Sequence, residues 1–562
     1  MKSTAVLLIL CACVLLGNAL SPCVQSLRYD NDSGLFVDTH EQDHSQGTFV
    51  LPPSFSWRDV NGVDFTTPIR NQSPFPSCES FALVAAVETM VQYKVGFPFN
   101  CDLSEAHLFF FSGGNIVWGS YPENDTEFLK DYGVPDEACW PYPHDLYQYP
   151  LNTTSPNWEN RTVKITNWSY LPADLSAIKT ALVTNGPVPS YFLVYDDFLY
   201  YKKGIYQHRW GRVRGAHYMA IVGYNDDPGY WIVKNSWGVN YQDHGWINIK
   251  YGECDIGTKN FYLTGVYGKF PILYVDDDNT DGPWNGTEEY PYHTISEAID
   301  ASYDGFTIYV KNGTYYEHVI IDKKITLYGE DKNTTIIDGS GVDDVVTISA
   351  PDVKILGLTV QNSGTELFNA GIKTLTLQSN VTIENNIIRG NSLGVYLNYA
   401  YESTWNRVSN NSIVDNVKGI YAHWANNGQI TGNLISLNDE DGIEMEHCLN
   451  CIIAGNMISE NGYGIYLRGT SDRNTINGAN TIQDNVLGVK ISESNRNSIS
   501  KNNFIGNLQH AFFYNSFLTI WRRNYWDDRV LFFPEIIPGS LGKREFSWVN
   551  LDRHPMLRPL NS

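Results

Sequence analysis

Three side chains with complementary proton chemistry stand far apart in the first half of this sequence: Cys78, His217 and Asn235. A thiol attacks only as its thiolate, so its surroundings decide its use. Cys78 follows the loop QSPFPS and precedes an apolar run without Gly or Pro from Phe81 to Gly96. That pattern predicts a largely buried helix with Cys78 as its first residue. The positive end of the helix dipole there favours thiolate over thiol. The backbone N–H of Cys78 falls among the donors that a first turn leaves unpaired, open to a developing oxyanion. Taken alone, the stretch equally suits a structural Cys in a core helix. His217 lies in GAHYMAIVGY, 139 residues further on, and Asn235 in YWIVKNSWG. An imidazole takes a thiol proton and returns it to a leaving amine, and an amide oxygen fixes the ring's tautomer and angle.

Seven pieces occur in one order: LPPSFSWRD, NQ-x5-C, LSEAHL, SGG, GAHYMAIVGY, KNSWG and HGWINIKYGEC. With them, residues 51–268 resemble the papain family of cysteine peptidases, whose nucleophile and partners lie about 130–150 residues apart. The resemblance implies an α+β fold of two subdomains with a cleft between them. It makes Cys78 the nucleophile, His217 the general base and acid, and Asn235 the residue that orients His217. Gln72 becomes the side-chain donor of the oxyanion hole, and Trp237 the cover over the Asn235–His217 contact. Ser112, Gly113 and Gly114 become a wall whose backbone pairs with an extended substrate. Substrates are then proteins or peptides, and no cofactor is required.

Two departures from the family matter. Glu79 follows the nucleophile where the family usually has Trp, and a carboxylate there disfavours a neighbouring thiolate. Phe75 replaces a Cys of the loop before the nucleophile, and Phe109, Phe110 and Phe111 stand where its partner would lie. Losing both halves together suggests a bridge replaced by aromatic packing.

The elements that must position these groups follow the same pattern. A helical part contains the Cys78 helix and a second helix opened by Leu103-Ser104-Glu105. A β-rich part carries His217 on YMAIVGY and Asn235 on YWIVKNS. Residues 1–20 read as a secretory signal: Lys2, an apolar core from Ala5 to Leu16, then Gly17-Asn18-Ala19. That core is too short to span a bilayer. The expected location is therefore secreted or cell-surface, with no transmembrane helix in the mature chain. Residues 21–50 read as a pattern-free leader, far shorter than the family's pro-segment. Excluding the signal and the catalytic thiol, six Cys remain, an even number that fits disulfides in an exported chain. Cys101–Cys139 is the first pairing to expect, and Cys23–Cys254 a remote one. His208 reads as a surface or satisfied His.

Near residue 269 the composition changes. Residues 269–290 read as a linker in which Asp277, Asn279, Asp281 and Glu288 fit D-x-[DN]-x-[DN]-G-x5-E. Pro283 and Gly286 rule out the second helix of an EF-hand. A structural Ca2+ loop and a solvated turn both stay open. HTISEAIDAS then predicts a short amphipathic helix with Ile295, Ala298 and Ile299 on one face. Beyond it Asn386, Asn411, Asn433, Asn456, Asn480 and Asn503 each stand two residues before Ile, and Gly394, Gly419, Gly442, Gly464 and Gly488 each precede Val or Ile. Intervals of 22–25 residues with β-branched cores predict a stacked β-solenoid. Asn suits left-handed corners, and its amides can ladder between coils. This half resembles the right-handed parallel β-helices of secreted and surface proteins, over 291–520, with the helix as first cap and 521–562 as closing cap. Asp415, Asp439, Asp441 and Asp484 are assigned to turns, and Cys448-x-x-Cys451 to a corner without redox context.

The formal net charge of −23 argues against nucleic acid as a partner. The reading is a secreted cysteine endopeptidase whose β-helix attaches it to a surface, glycan or partner protein. Two alternatives stay open: a catalytically silent binding protein, and a carbohydrate-active β-helix enzyme with an accessory peptidase.

Overall fold

The computed structural model describes residues 50–560 except 146–157, 242, 376, 401–404, 529–533 and 543–545, together with the backbone of 27–30 and 35–38. The signal, Cys23 and most of the leader lie outside the described residues. Within the stretch read as pattern-free, Leu27–Asp30 pairs antiparallel with Leu35–Asp38.

Helix α1, Cys78–Val95, starts at the thiol and ends at Gly96, whose φ of 95° gives the left-handed turn a β-carbon resists. It is buried on nearly all sides. Helices α2 (Glu105–Phe111) and α3 (Pro122–Asp131) pack beside it, and Ser104 caps α2 by accepting from the N–H of His107. The second layer is an eight-stranded sheet of β1 (Ser54–Ser56), β2 (Val163–Leu171), β3 (Val188–Tyr195), β4 (Ile205–Tyr206), β5 (Val213–Asn225), β6 (Tyr230–Lys234), β7 (Trp246–Lys250) and β8 (Asn260–Gly268). Its order is β2-β8-β3-β5-β6-β7-β4, with β1 on β5. The central strand β5 carries His217, its neighbour β6 leads into Asn235, and β5 packs against α1.

No disulfide is present among the described residues, which corrects the expected Cys101–Cys139 bridge. The two segments do run side by side through the Leu103–Asp136 pairing. Cys101, however, points into the apolar core beside α1 with Leu83 and Leu103. Cys139 belongs instead to the turn built on Asp136, whose carboxylate pairs with buried Arg161.

From Ile272–Val275 the chain winds into a solenoid of about 10 turns. One face is a ten-stranded parallel sheet from Gly313–Tyr315 to Tyr525–Trp526. The other strands join a 22-stranded sheet that ends in the antiparallel pair Glu535–Leu541 and Phe546–Asp552. Helix α4, Leu175–Thr184, belongs to the first half; α5, Ile295–Ala301, covers the first coil with Ile295, Ala298 and Ile299 buried and a Thr294/Glu297 capping box.

The repeat residues hold the coils together. Asn386, Asn411, Asn433, Asn456 and Asn480 each donate through Nδ2 to the next member's Oδ1 at 2.8–3.1 Å. The sequence series goes astray at its end, where the ladder takes Asn502 rather than Asn503, then Asn524, and stops on the Asp552 carboxylate. A second ladder, unseen in the sequence, runs Asn391, Asn416, Asn438, Asn461, Asn485, Asn507. The left-handed corners fall one residue before the first ladder, on Asn385, Asn410, Gly432, Gly455, Ala479 and Lys501. Corner and ladder are therefore separate duties of adjacent residues. At Gly394 and Gly419 a β-carbon would lie 2.5 Å from the next coil's carbonyl, so only Gly fits. Cys448 and Cys451 belong to neither ladder; their N–H groups donate to Ser471 Oγ and Asn474 Oδ1 of the next coil, and their thiols donate to Ala422 O and Ala425 O.

The halves touch. The Phe97 ring lies 4.6 Å and 5.6 Å from Tyr309 and Tyr328, and Arg161 sits 4.0 Å above Tyr303. Nothing in the sequence pattern marks that contact.

Candidate active site

Cys78 opens α1 and is 8% exposed. Its N-cap, Ser77, makes no side-chain cap; its hydroxyl meets Tyr142 Oη at 2.7 Å, and Tyr142 donates to Gln72 O. The loop before the thiol is thus tied down by a tyrosine from a distant segment. The backbone N–H groups of Tyr218 and Glu79 point at the sulfur and favour thiolate, which places Cys78 beside the residue that follows His217. Burial and the Glu79 carboxylate oppose them and win, pushing the thiol well above its ordinary range. The sulfur donates to Glu79 Oε2 at 3.3 Å. The opposition expected from Glu79 is therefore present, and with burial it outweighs the pull of the helix terminus towards thiolate. Desolvation of the anion outweighs a half-charge at the helix end.

His217 is 3% exposed, and burial lowers it to about 4 while Asn235 pulls upward. Its Nε2 lies 2.8 Å from Asn235 Oδ1, which also accepts from the N–H of Ser236. With Nε2 so engaged, Nδ1 is the ring nitrogen left for a thiol proton. The Trp237 ring lies 4.6 Å from the imidazole at 30°, itself backed by Phe198 and Tyr241. Water is thereby kept from the His217–Asn235 bond.

Gln72 is held against Ser236, the residue after Asn235. Its N–H donates to Ser236 O, its Oε1 accepts from Ser236 Oγ at 2.7 Å, and its Nε2 reaches Phe75 O at 3.3 Å. Gln72, Phe75, Ile116, Val117 and Trp237 line a groove of about 600 Å3. Gly113 has φ +99°, and Gly114 approaches Phe109 O so closely that a β-carbon would sit 2.3 Å away. Sequence reading missed what fixes this wall. Buried Asp125 accepts from Ser80 of α1 and Ser120 at 2.8 Å, and from Ser112. One carboxylate thus ties wall to nucleophile helix; spaced single serines gave no signal of it.

Phe75 packs with Phe110 at 5.4 Å and Phe109 at 6.5 Å, so aromatic packing occupies the place of the family's bridge. Phe111 is not part of it and stacks on His107 instead. His208 pairs with Asp197 at 3.0 Å and stacks on Tyr195.

Asp277, Asn279, Asp281 and Glu288 are not gathered into one shell. Asp277 accepts from the N–H of Thr314, Asn279 donates to Pro291 O, and Asp281 and Glu288 lie exposed. Among the described residues, the His/Cys/Asp/Glu group close enough to share an ion is His510, Asp527 and Asp528, with His510 Nε2 2.8 Å from Asp527 and 3.2 Å from Asp528. Asp441, assigned to a turn, opens the strand Asp441–Glu446. Its carboxylate and that of buried Glu444 share Lys418, and Glu444 also meets Arg468. With Tyr463 and Tyr466 these groups line a groove of about 550 Å3 on the solenoid's outer face.

Residues 51–264 match the family described as papain family cysteine protease, and residues 302–532 that described as periplasmic copper-binding protein (NosD). The chain is 31% identical to cathepsin B-like CP3 of Giardia intestinalis, over 37% of this chain and 80% of that one. It is 30% identical to fruit bromelain of Ananas comosus, over 36% of this chain and 56% of that one. The solved bromelain protease from Ananas comosus in complex with the E64 inhibitor is 27% identical, covering 38% of this chain and 99% of that one, with a TM-score of 0.34. Among the described residues, no helix is long and apolar enough to cross a membrane.

Proposed function

Because this chain belongs to the papain family of cysteine proteases, with a parallel β-helix joined behind the protease domain, we propose that it hydrolyses peptide bonds through Cys78. The observation that carries the reading is the buried 2.8 Å bond from His217 Nε2 to Asn235, roofed by Trp237. His217 Nδ1 takes the thiol proton, sulfur attacks the carbonyl carbon, and the oxyanion is met by the N–H of Cys78 and by Gln72. His217 then protonates the leaving amine, and water releases the acyl group by the reverse sequence. Gly113 and Gly114 pair with the extended substrate backbone.

The chain is exported, on the strength of its N-terminal signal pattern, and the solenoid attaches it to a surface glycan or partner. The tyrosine-lined, mixed-charge groove around Glu444 supports a glycan, since flat rings and fixed polar groups suit sugar faces and hydroxyls. A thiol-directed epoxide tests the enzymatic reading. It should label Cys78 and stop cleavage of a peptide library, and Cys78→Ala should lose both. Absence of labelling in reducing buffer would favour the catalytically silent alternative. Release of reducing ends from polysaccharides would favour carbohydrate chemistry in the solenoid.

A further inference from the structure

The residue beside the nucleophile does more than occupy the place of an indole. Glu79 Oε2 lies 3.3 Å from Cys78 Sγ and accepts its proton, so the carboxylate touches the reacting atom. Its position is enforced. Gly119 holds φ +95°, and a β-carbon there would meet Pro76 O at 2.9 Å and the two Glu79 oxygens at 3.7 and 3.8 Å. Backbone therefore closes over the carboxyl on that side, and α1 fixes it on the other. The groups acting on Glu79 are its own backbone N–H, which favours the carboxylate, Cys78 on α1 and Asp125 on α3; Tyr218, beside His217 on β5, feels Glu79 and Glu123 in turn. None of them is a cation that would hold the carboxylate ionised.

We propose that Glu79 is a second proton partner of the catalytic sulfur, whose hydrogen bond reverses direction when the carboxyl gains a proton. Ionised, Glu79 accepts S–H···O and holds the thiol. Protonated, it donates O–H···S and stabilises the thiolate that His217 generates. No electrons move: one proton is gained from solvent by the carboxylate, and the thiol proton passes to His217 as before. Cleavage then belongs to the acid side of neutrality and is shut off above it. This rests on Cys78 being the nucleophile. Burial supports it by raising Glu79 to about 7, so that about one carboxyl in eleven is protonated at about pH 8 and nearly all at about pH 5.5.

The test is alkylation of Cys78 by iodoacetamide, followed by mass spectrometry, in the full chain and in Glu79→Gln. Gln keeps the size and donates to sulfur at every pH. Labelling of Glu79→Gln should exceed wild type about tenfold at about pH 8 and match it within about threefold at about pH 5.5. An equal ratio at both pH values overturns the proposal. Wild type supplies a check if the variant does not fold: its kcat/KM on a peptide should fall about tenfold from pH 5.5 to 8. A flat profile overturns the proposal as well. A pH-dependent labelling ratio without cleavage at any pH sinks the peptidase reading while leaving the Cys78–Glu79 coupling standing.

Discussion

Replacing Asn235 separates positioning from proton transfer at this site. In Asn235→Ala the buried Nε2 of His217 loses its acceptor at 2.8 Å, and the N–H of Ser236 loses the same oxygen. Trp237 still covers the ring face, so the imidazole stays dry but free to turn. A hydrogen bond to a group that becomes charged is worth about 1.5–3 kcal/mol. At about 1.4 kcal/mol per tenfold, kcat/KM should fall about 10- to 150-fold, mostly in kcat. Asn235→Asp is the companion variant. Asn235 Nδ2 is buried without a hydrogen-bond partner among the described residues, so exchanging it for oxygen sacrifices no contact. A carboxylate against Nε2 favours imidazolium and should lift His217 from about 4 by at least about one unit. The Asp variant should therefore retain more rate than Ala and show an acid limb displaced upward. Initial rates on a fluorogenic peptide from about pH 4 to 8 read both effects. The reasoning fails if Ala stays within threefold of wild type, or if Asp is as damaged as Ala with an unmoved limb.

Other expectations follow from buried groups. Asn433→Ala orphans the buried N–H of Asn411 and removes the bonds to Val408 O and Asn456, which should cost about 3–5 kcal/mol in urea unfolding. Asp439→Ala, at an exposed turn, should change little, and equal effects would refute the ladder's role. Lys234→Met removes the bond to Thr67 and the cation that acts most strongly on buried Glu88, leaving it only Arg70; this should destabilise the protease half by about 3–5 kcal/mol, and a neutral outcome in thermal scans would contradict it. Stability should also fall as pH rises from about 6.5 to 8. Glu79 and Glu137 are raised to about 7 and about 8, so their folded-state protons are lost across that window. His217 and His107, lowered to about 4 and about 3, are neutral in the folded state, and their unfolded imidazoles shed only about half a proton each above about 6.5, which offsets part of the loss without reversing it. A Tm that climbs over the same window would reverse the sign and exclude the assignment.

What the sequence determined by itself is whatever depends on local pattern. The Cys78 helix, the strand bearing His217, the strand that leads into Asn235, and the coil repeat are all legible because periodicity and turn residues act over a few positions. The Gly before each β-branched residue was visible as a repeat, although its cause, contact with the next coil's carbonyl, was not. Tertiary structure alone decided the sulfur's protonation. A helix terminus argues for thiolate and an adjacent Glu79 against it, both legible in the sequence, but the depth of burial that tips the balance is not written in spacing. It decided likewise that one Asp125 joins three serines, that Asp441 lies on a strand beside Glu444, and that Asp277 and Asn279 bond to the backbone of Thr314 and Pro291. Each of these depends on which segments the fold brings within a few ångströms, a long-range outcome of packing that no local run of residues encodes.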